Sequence, residues 1–187
     1  MRTFLAVEAS DEVRAQVGRL ISELAQTSAH VKWVEPANLH LTLKFFGDIC
    51  DEDVSRICSA VTDAVAPISA FDCPCQGIGA FPHLGRPRTI WAGMPGCQAR
   101  MAELSDGIEQ ALAALGFPRE RRAFHPHLTL GRVREGRRLG PLTALLRQHS
   151  GISLGIMDVS TVIFFSSQLL PTGPLYTALA RFALSGV

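Results

Sequence analysis

No stretch of this chain approaches the roughly 20 consecutive apolar residues that a membrane-spanning helix needs. The opening Met1-Arg-Thr-Phe-Leu-Ala-Val-Glu meets charge within a handful of residues and lacks the longer apolar segment and cleavage site of a secretory signal. A cytoplasmic protein with no membrane partner is therefore the expectation, monomeric by default. A glycine-rich phosphate loop of the dinucleotide or nucleoside-triphosphate kind is missing, and so is a Gly-x-Ser-x-Gly nucleophile elbow. There is no low-complexity tract or linker, and 187 residues with 47% apolar content are enough for one domain with a sizeable interior. The five cysteines (Cys50, Cys58, Cys73, Cys75, Cys97) are irregularly spaced. Only Cys73-Pro-Cys75 is a close pair, and no second pair completes a zinc pattern, so reduced structural thiols are expected.

What the chain does have is a tetrapeptide that occurs twice, His40-Leu-Thr42-Leu and His127-Leu-Thr129-Leu, nearly half its length apart. Successive side chains of a strand point to opposite faces. Each motif then puts a histidine and a threonine on one face and two leucines on the other. The repeat suggests two related half-structures, each offering one imidazole and one hydroxyl to a common cleft. Charge is distributed unevenly around the second motif. Residues 119–138 hold seven arginines against two glutamates, +5, while the rest of the chain sums to −4. A local positive field attracts phosphate without making the whole protein basic.

The remaining pattern alternates helices and strands. Strand character covers 3–9, 31–34 and 88–92, is interrupted by Pro74, Gly77 and Gly79 over 71–81, and returns over 152–165 and 175–184. Helical spacing appears over 11–26 (Val13, Val17, Leu20, Leu24), 51–66 (Val54, Ile57, Val61, Val65), 101–115 and 141–148. Closely joined strands among helices predict an α+β fold with antiparallel sheets rather than a doubly wound parallel one.

Two histidines suit proton exchange near neutral pH, one neutral as base and one protonated as acid. A threonine two residues on supplies a hydroxyl for a phosphoryl oxygen. His125-Pro-His127 with His40 could be read as a metal set, yet neither motif contains a carboxylate and threonine is a poor zinc ligand. No metal is expected. Lys44 shares the strand parity of His40 and Thr42 and reaches phosphate if the strand stays regular. Arg132 has the wrong parity relative to His127 and needs a twist or bulge to point inward. Phe46 is a candidate base-stacking residue whose alternative is the core.

The motifs, with Phe45-Phe46-Gly47 after the first and Phe124-His-Pro before the second, resemble the 2H phosphoesterase superfamily. More narrowly the chain is similar to bacterial and archaeal RNA 2′,3′-cyclic phosphodiesterases, once described as 2′-5′ RNA ligases. The likeness runs nearly end to end, through Arg2-Thr-Phe-Leu-Ala, Gly79-Ala-Phe-Pro, Pro87-Arg-Thr-Ile-Trp-Ala and Pro171-Thr-Gly-Pro-Leu-Tyr176. The resemblance implies one domain over residues 1–187, bilobal, with two antiparallel sheets related by a pseudo-twofold, helices outside and an active-site groove between. It implies a reaction without metal or cofactor that opens a 2′,3′-cyclic phosphate on RNA, or on a small cyclic nucleotide, to a 2′-phosphate. By motif, His40 is the proton donor, His127 the proton acceptor, and Thr42 and Thr129 hold the non-bridging oxygens. Lys44, Arg132, His125 and Phe46 complete the candidate substrate contacts. The residues alone do not say which histidine is the acid. A nucleotide- or RNA-binding module without turnover, and 2′-5′ ligation, stay open.

Overall fold

The computed structural model describes residues 1–134, 138–171 and 173–186, so Glu135 and Arg137 of the basic segment lie outside the described residues. The chain runs β1 (Arg2–Glu8), α1 (Asp11–Leu24), β2 (Val31–Trp33), a 3₁₀ turn (Pro36–Asn38), β3 (His40–Asp48), α2 (Asp51–Val65), β4 (Phe71–Gln76), β5 (Ile78–Phe81), β6 (Thr89–Gly93) and α3 (Gln98–Ala114). It continues through β7 (His127–Val133), α4 (Gly140–Gln148), β8 (Ser153–Val159), β9 (Thr161–Leu170) and β10 (Gly173–Ala183). The α+β class with antiparallel sheets holds.

The larger sheet has the order β10-β9-β1-β3-β7-β6-β5, with β2 also on β7, and β4 and β8 form a separate pair. At its middle the larger sheet is almost cut in two, because β3 and β7 are in register at a single pair, Leu41 opposite Leu128. The groove between the lobes lies at this junction, where the two motif strands meet.

The helices cross over. α1 follows a strand of the first lobe but packs on β8 and α4, whereas α3 follows β6 of the second lobe and packs on β3 and α2. Local chemistry sets these elements. Ser10 caps α1 by accepting from the Val13 amide, Asp11 and Glu12 sit in the first turn, and Val13, Val17, Leu20 and Leu24 form the buried stripe. The Ser10 hydroxyl also donates to the Ile156 carbonyl at 2.6 Å, which clips the start of α1 to β8.

Two predicted strands prove to be four. The 71–81 segment breaks at Gly77 into β4 and β5, and the 152–165 segment breaks at Ser160 into β8 and β9, each half joining a different sheet. The apolar alternation continues through both breaks because both sheets face the same interior. The cysteine expectation also fails in part. Cys73 on β4 and Cys97 before α3 are disulfide-bonded, their Cα atoms 5.7 Å apart, while Cys75 stays a buried free thiol pushed up to about 12 by burial. The two partners are 24 residues apart, so nothing in the local spacing marks them.

Candidate active site

Each motif histidine opens its strand and turns one ring nitrogen back to the backbone two residues before it. His40 Nδ1 lies 2.7 Å from the Asn38 carbonyl oxygen, and His127 Nδ1 lies 2.6 Å from that of His125. A carbonyl only accepts, so Nδ1 carries the proton in both rings and Nε2 is the ring nitrogen left without it. Leu41, Leu43, Leu128 and Leu130 are buried on the opposite face, which holds both strands in place. Thr42 and Thr129 follow on the histidine face, half-buried.

Burial pushes both imidazoles below the usual histidine value, but the neighbouring charges differ in sign. Next to His40, after its backbone hydrogen bond, the Glu8 carboxylate favours the protonated ring. Glu8 is its register partner on β1 and also pairs with Arg14 and Arg181. Next to His127, the charges of His125 and Arg132 favour the neutral ring.

A bulge follows each motif. Between β1 and β3 the register jumps so that Leu43 has no partner, and between β6 and β7 it jumps at Leu130. Two consecutive residues then face the interior, Leu43 with Lys44 and Leu130 with Gly131, and the next residue returns to the groove face. This corrects the reading of Lys44. Instead of facing phosphate it is buried, its Nζ 2.8 Å from Glu109 Oε2 and 2.6 Å from the Pro118 carbonyl oxygen. The same Glu109 oxygen accepts from the Glu120 amide, which fixes the start of the arginine segment leading to His127.

Arg132 gains what Lys44 loses. It is exposed, donates to Thr89 Oγ1 at 3.3 Å, and its charge is felt by both His127 and Tyr176, which stand on opposite lobes. Phe46 is also displaced, packing edge-on against Phe117 and Phe164 in the core while Phe45 takes the groove face, 68% exposed. His125 contributes its backbone carbonyl to His127 and lines a cavity beside that histidine. Among the described residues no group of three or more His, Cys, Asp and Glu side chains could hold a metal ion.

The motif reading missed the aromatic flanks. His40 lies 4.9 Å from Phe4 and 5.3 Å from Tyr176, centroid to centroid, and His127 lies 5.3 Å from Phe81 and 6.3 Å from Trp91. These four residues come from β1, β10, β5 and β6, so no local pattern joins them to the histidines. The available signal was the resemblance itself, since Phe4, Phe81, Trp91 and Tyr176 each stand in one of the sequence blocks that carry it.

Residues 7–91, and again 93–176, match the family described as LigT like Phosphoesterase. The chain belongs to this family. Each match contains one His-Leu-Thr-Leu strand, so the family unit recurs once per half of this LigT-like phosphoesterase. Among its relatives is the RNA 2′,3′-cyclic phosphodiesterase of Methanothermobacter thermautotrophicus, 36% identical over 98% of this chain and 99% of the relative. The protein of the same name from Archaeoglobus fulgidus is 36% identical over 97% and 99%. The crystal structure of TT0787 of Thermus thermophilus superposes with a TM-score of 0.82 at 27% identity, covering 100% of this chain and 99% of that one. The fold is also that of E. coli LigT complexed with 3′-AMP, at a TM-score of 0.79 and 24% identity over 98% of each chain.

Proposed function

We propose that this LigT-like phosphoesterase is an RNA 2′,3′-cyclic phosphodiesterase, opening the cyclic phosphate at an RNA 3′ end to leave a 2′-phosphate. The observation that carries this reading is the matched pair of histidines, each with its tautomer set by a backbone carbonyl, in surroundings of opposite charge. The names of the full-length relatives support the same substrate. One buried core drawing on both lobes supports a single domain.

In the proposed reaction His127 Nε2 takes a proton from water as the water oxygen attacks phosphorus. The bond from phosphorus to the 3′ oxygen breaks, and His40 Nε2 donates its proton to that oxygen. Glu8 beside His40 suits the acid, and Arg132 beside His127 suits the base. The substrate's own negative charge raises both imidazoles again on binding, which restores the proton on His40. Thr42, Thr129 and Arg132 hold the non-bridging oxygens, where charge develops.

The test is product analysis on an oligonucleotide ending in a 2′,3′-cyclic phosphate, in the presence of chelator, separating 2′- from 3′-phosphate ends. The 2′ product is expected. His40→Ala and His127→Ala are each expected to slow turnover by roughly a hundred- to ten-thousand-fold. A 3′-phosphate product, or ordinary turnover by either variant, overturns the assignment.

A further inference from the structure

Beside His127, on the second lobe, the groove opens into a cavity of about 360 Å³. That lies within the range of small-ligand pockets. Ile78 and Met94, almost fully buried, line it together with Trp91 and Phe81, and two exposed glutamines, Gln76 and Gln98, complete a mostly apolar lining. None of the lining residues is an aspartate, glutamate, lysine or arginine. Its ionisable lining groups are the imidazoles of His125 and His127 alone. An aliphatic group would leave two amides without use.

The wall is built as a platform. Trp91 stands directly opposite Gly79 on β5, and a Cβ at Gly79 would overlap the indole, so the missing side chain lets the ring lie down on the sheet. The same face carries Thr129, the register partner of Trp91, and His127, the partner of Gly93. A flat ring seated here is therefore adjacent to the phosphate position. On the first lobe the corresponding face is filled by Phe4, Phe165 and Tyr176 packed on one another.

We propose that this cavity is a nucleobase subsite: a base of the RNA end stacks on Trp91, and the amides of Gln76 and Gln98 meet its polar edge. A primary amide offers both donors and an acceptor, as a base edge does, and stacking of bases on aromatic side chains is a general mode of single-strand recognition. The proposal rests on the RNA reading above and names which part of the substrate the second lobe holds.

The experiment compares the four nucleoside 2′,3′-cyclic phosphates with base-free ribose 2′,3′-cyclic phosphate, and then with dinucleotides bearing the same end. A favoured base is expected to lower KM by on the order of ten- to a hundred-fold relative to the base-free compound. Trp91→Leu and Gln98→Ala are expected to erase that difference through KM, with kcat largely kept. An effect seen with mononucleotides assigns the terminal base, and one seen only with dinucleotides assigns the preceding base. Equal KM with and without a base overturns the subsite while leaving the phosphodiesterase reading intact. Binding is read separately, by quenching of Trp91 fluorescence on titration with adenosine, guanosine, cytidine and uridine in a Trp33→Phe background. No quenching by any nucleoside at millimolar concentration overturns the proposal even if no cyclic phosphate is turned over.

Discussion

The two halves of the groove start from the same four residues and end as different surfaces. Around His40 the sheet face is packed with Phe4, Phe165 and Tyr176, and the charge that acts on the ring is a carboxylate, Glu8. Around His127 the face is hollowed beside Trp91, and the nearby charges are cationic. The same bulge follows both motifs, yet it delivers a buried lysine and an exposed phenylalanine in one half, and a buried glycine and an exposed arginine in the other. Duplication supplies a symmetric frame for two imidazoles. Differences at the bulge and on the neighbouring strands then give the two imidazoles different surroundings, a carboxylate on one side and cationic groups on the other.

Lys44 and Gly131 give the largest test of that divergence. Lys44 and Glu109 are 6% and 9% exposed, so Lys44→Met strands a carboxylate in the core. Breaking such a pair costs about 3–5 kcal/mol, read as a lowered denaturant midpoint. Lys44→Met with Glu109→Leu is expected to recover most of that loss, since an apolar replacement of a buried pair is often neutral. At Gly131 an added Cβ would meet the Trp33 ring instead, so no lysine could sit there without moving β2. A single Lys44→Met variant as stable as the parent would mean that the pair does not hold β3 to α3.

Arg132 and Phe45 give the next. Arg132→Met removes the charge-assisted contact to phosphate proposed for it, expected to lower kcat/KM by roughly ten- to a hundredfold. Because the guanidinium favours neutral His127, its loss raises the His127 pKa and moves the acidic limb of the pH–rate profile to higher pH. Phe45→Met carries no such shift. An unmoved acidic limb in Arg132→Met would place the arginine outside the catalytic field.

The smallest effect is expected at Glu8. Glu8→Gln removes the carboxylate that favours protonated His40 and that also pairs with Arg14 and Arg181. The His40 pKa falls, and the basic limb moves to lower pH while the acidic limb stays. Movement of the acidic limb instead would exchange the roles of the two histidines.

The motif strands and all four helices follow from local pattern, because the 3.6-residue stripe of Val13, Val17, Leu20 and Leu24 and the alternation through His40–Leu43 are determined by the chain's own geometry. Strand limits at Gly77 and Ser160 were not legible, since the interior accepts apolar residues from both sheets and only the pairing partner says where one strand ends. Lys44 was misplaced, and the choice between groove and core for Phe46 stayed open, for a related reason. Parity counts residues along one strand, whereas a bulge is a mismatch between two, and β1 is what makes Leu43 the extra residue.

By itself, then, the sequence determined the fold class, the paired histidines and threonines, and the excess of positive charge near the second motif. These depend on neighbours one to four residues away, or on simple composition. Tertiary structure decided which side chains after the bulges face the groove, which charge stands beside each imidazole, and which lobe is hollow. Those are properties of strands brought together from distant parts of the chain: Glu8 reaches His40 through β1, Trp91 reaches His127 through β6, and Tyr176 closes on His40 from β10.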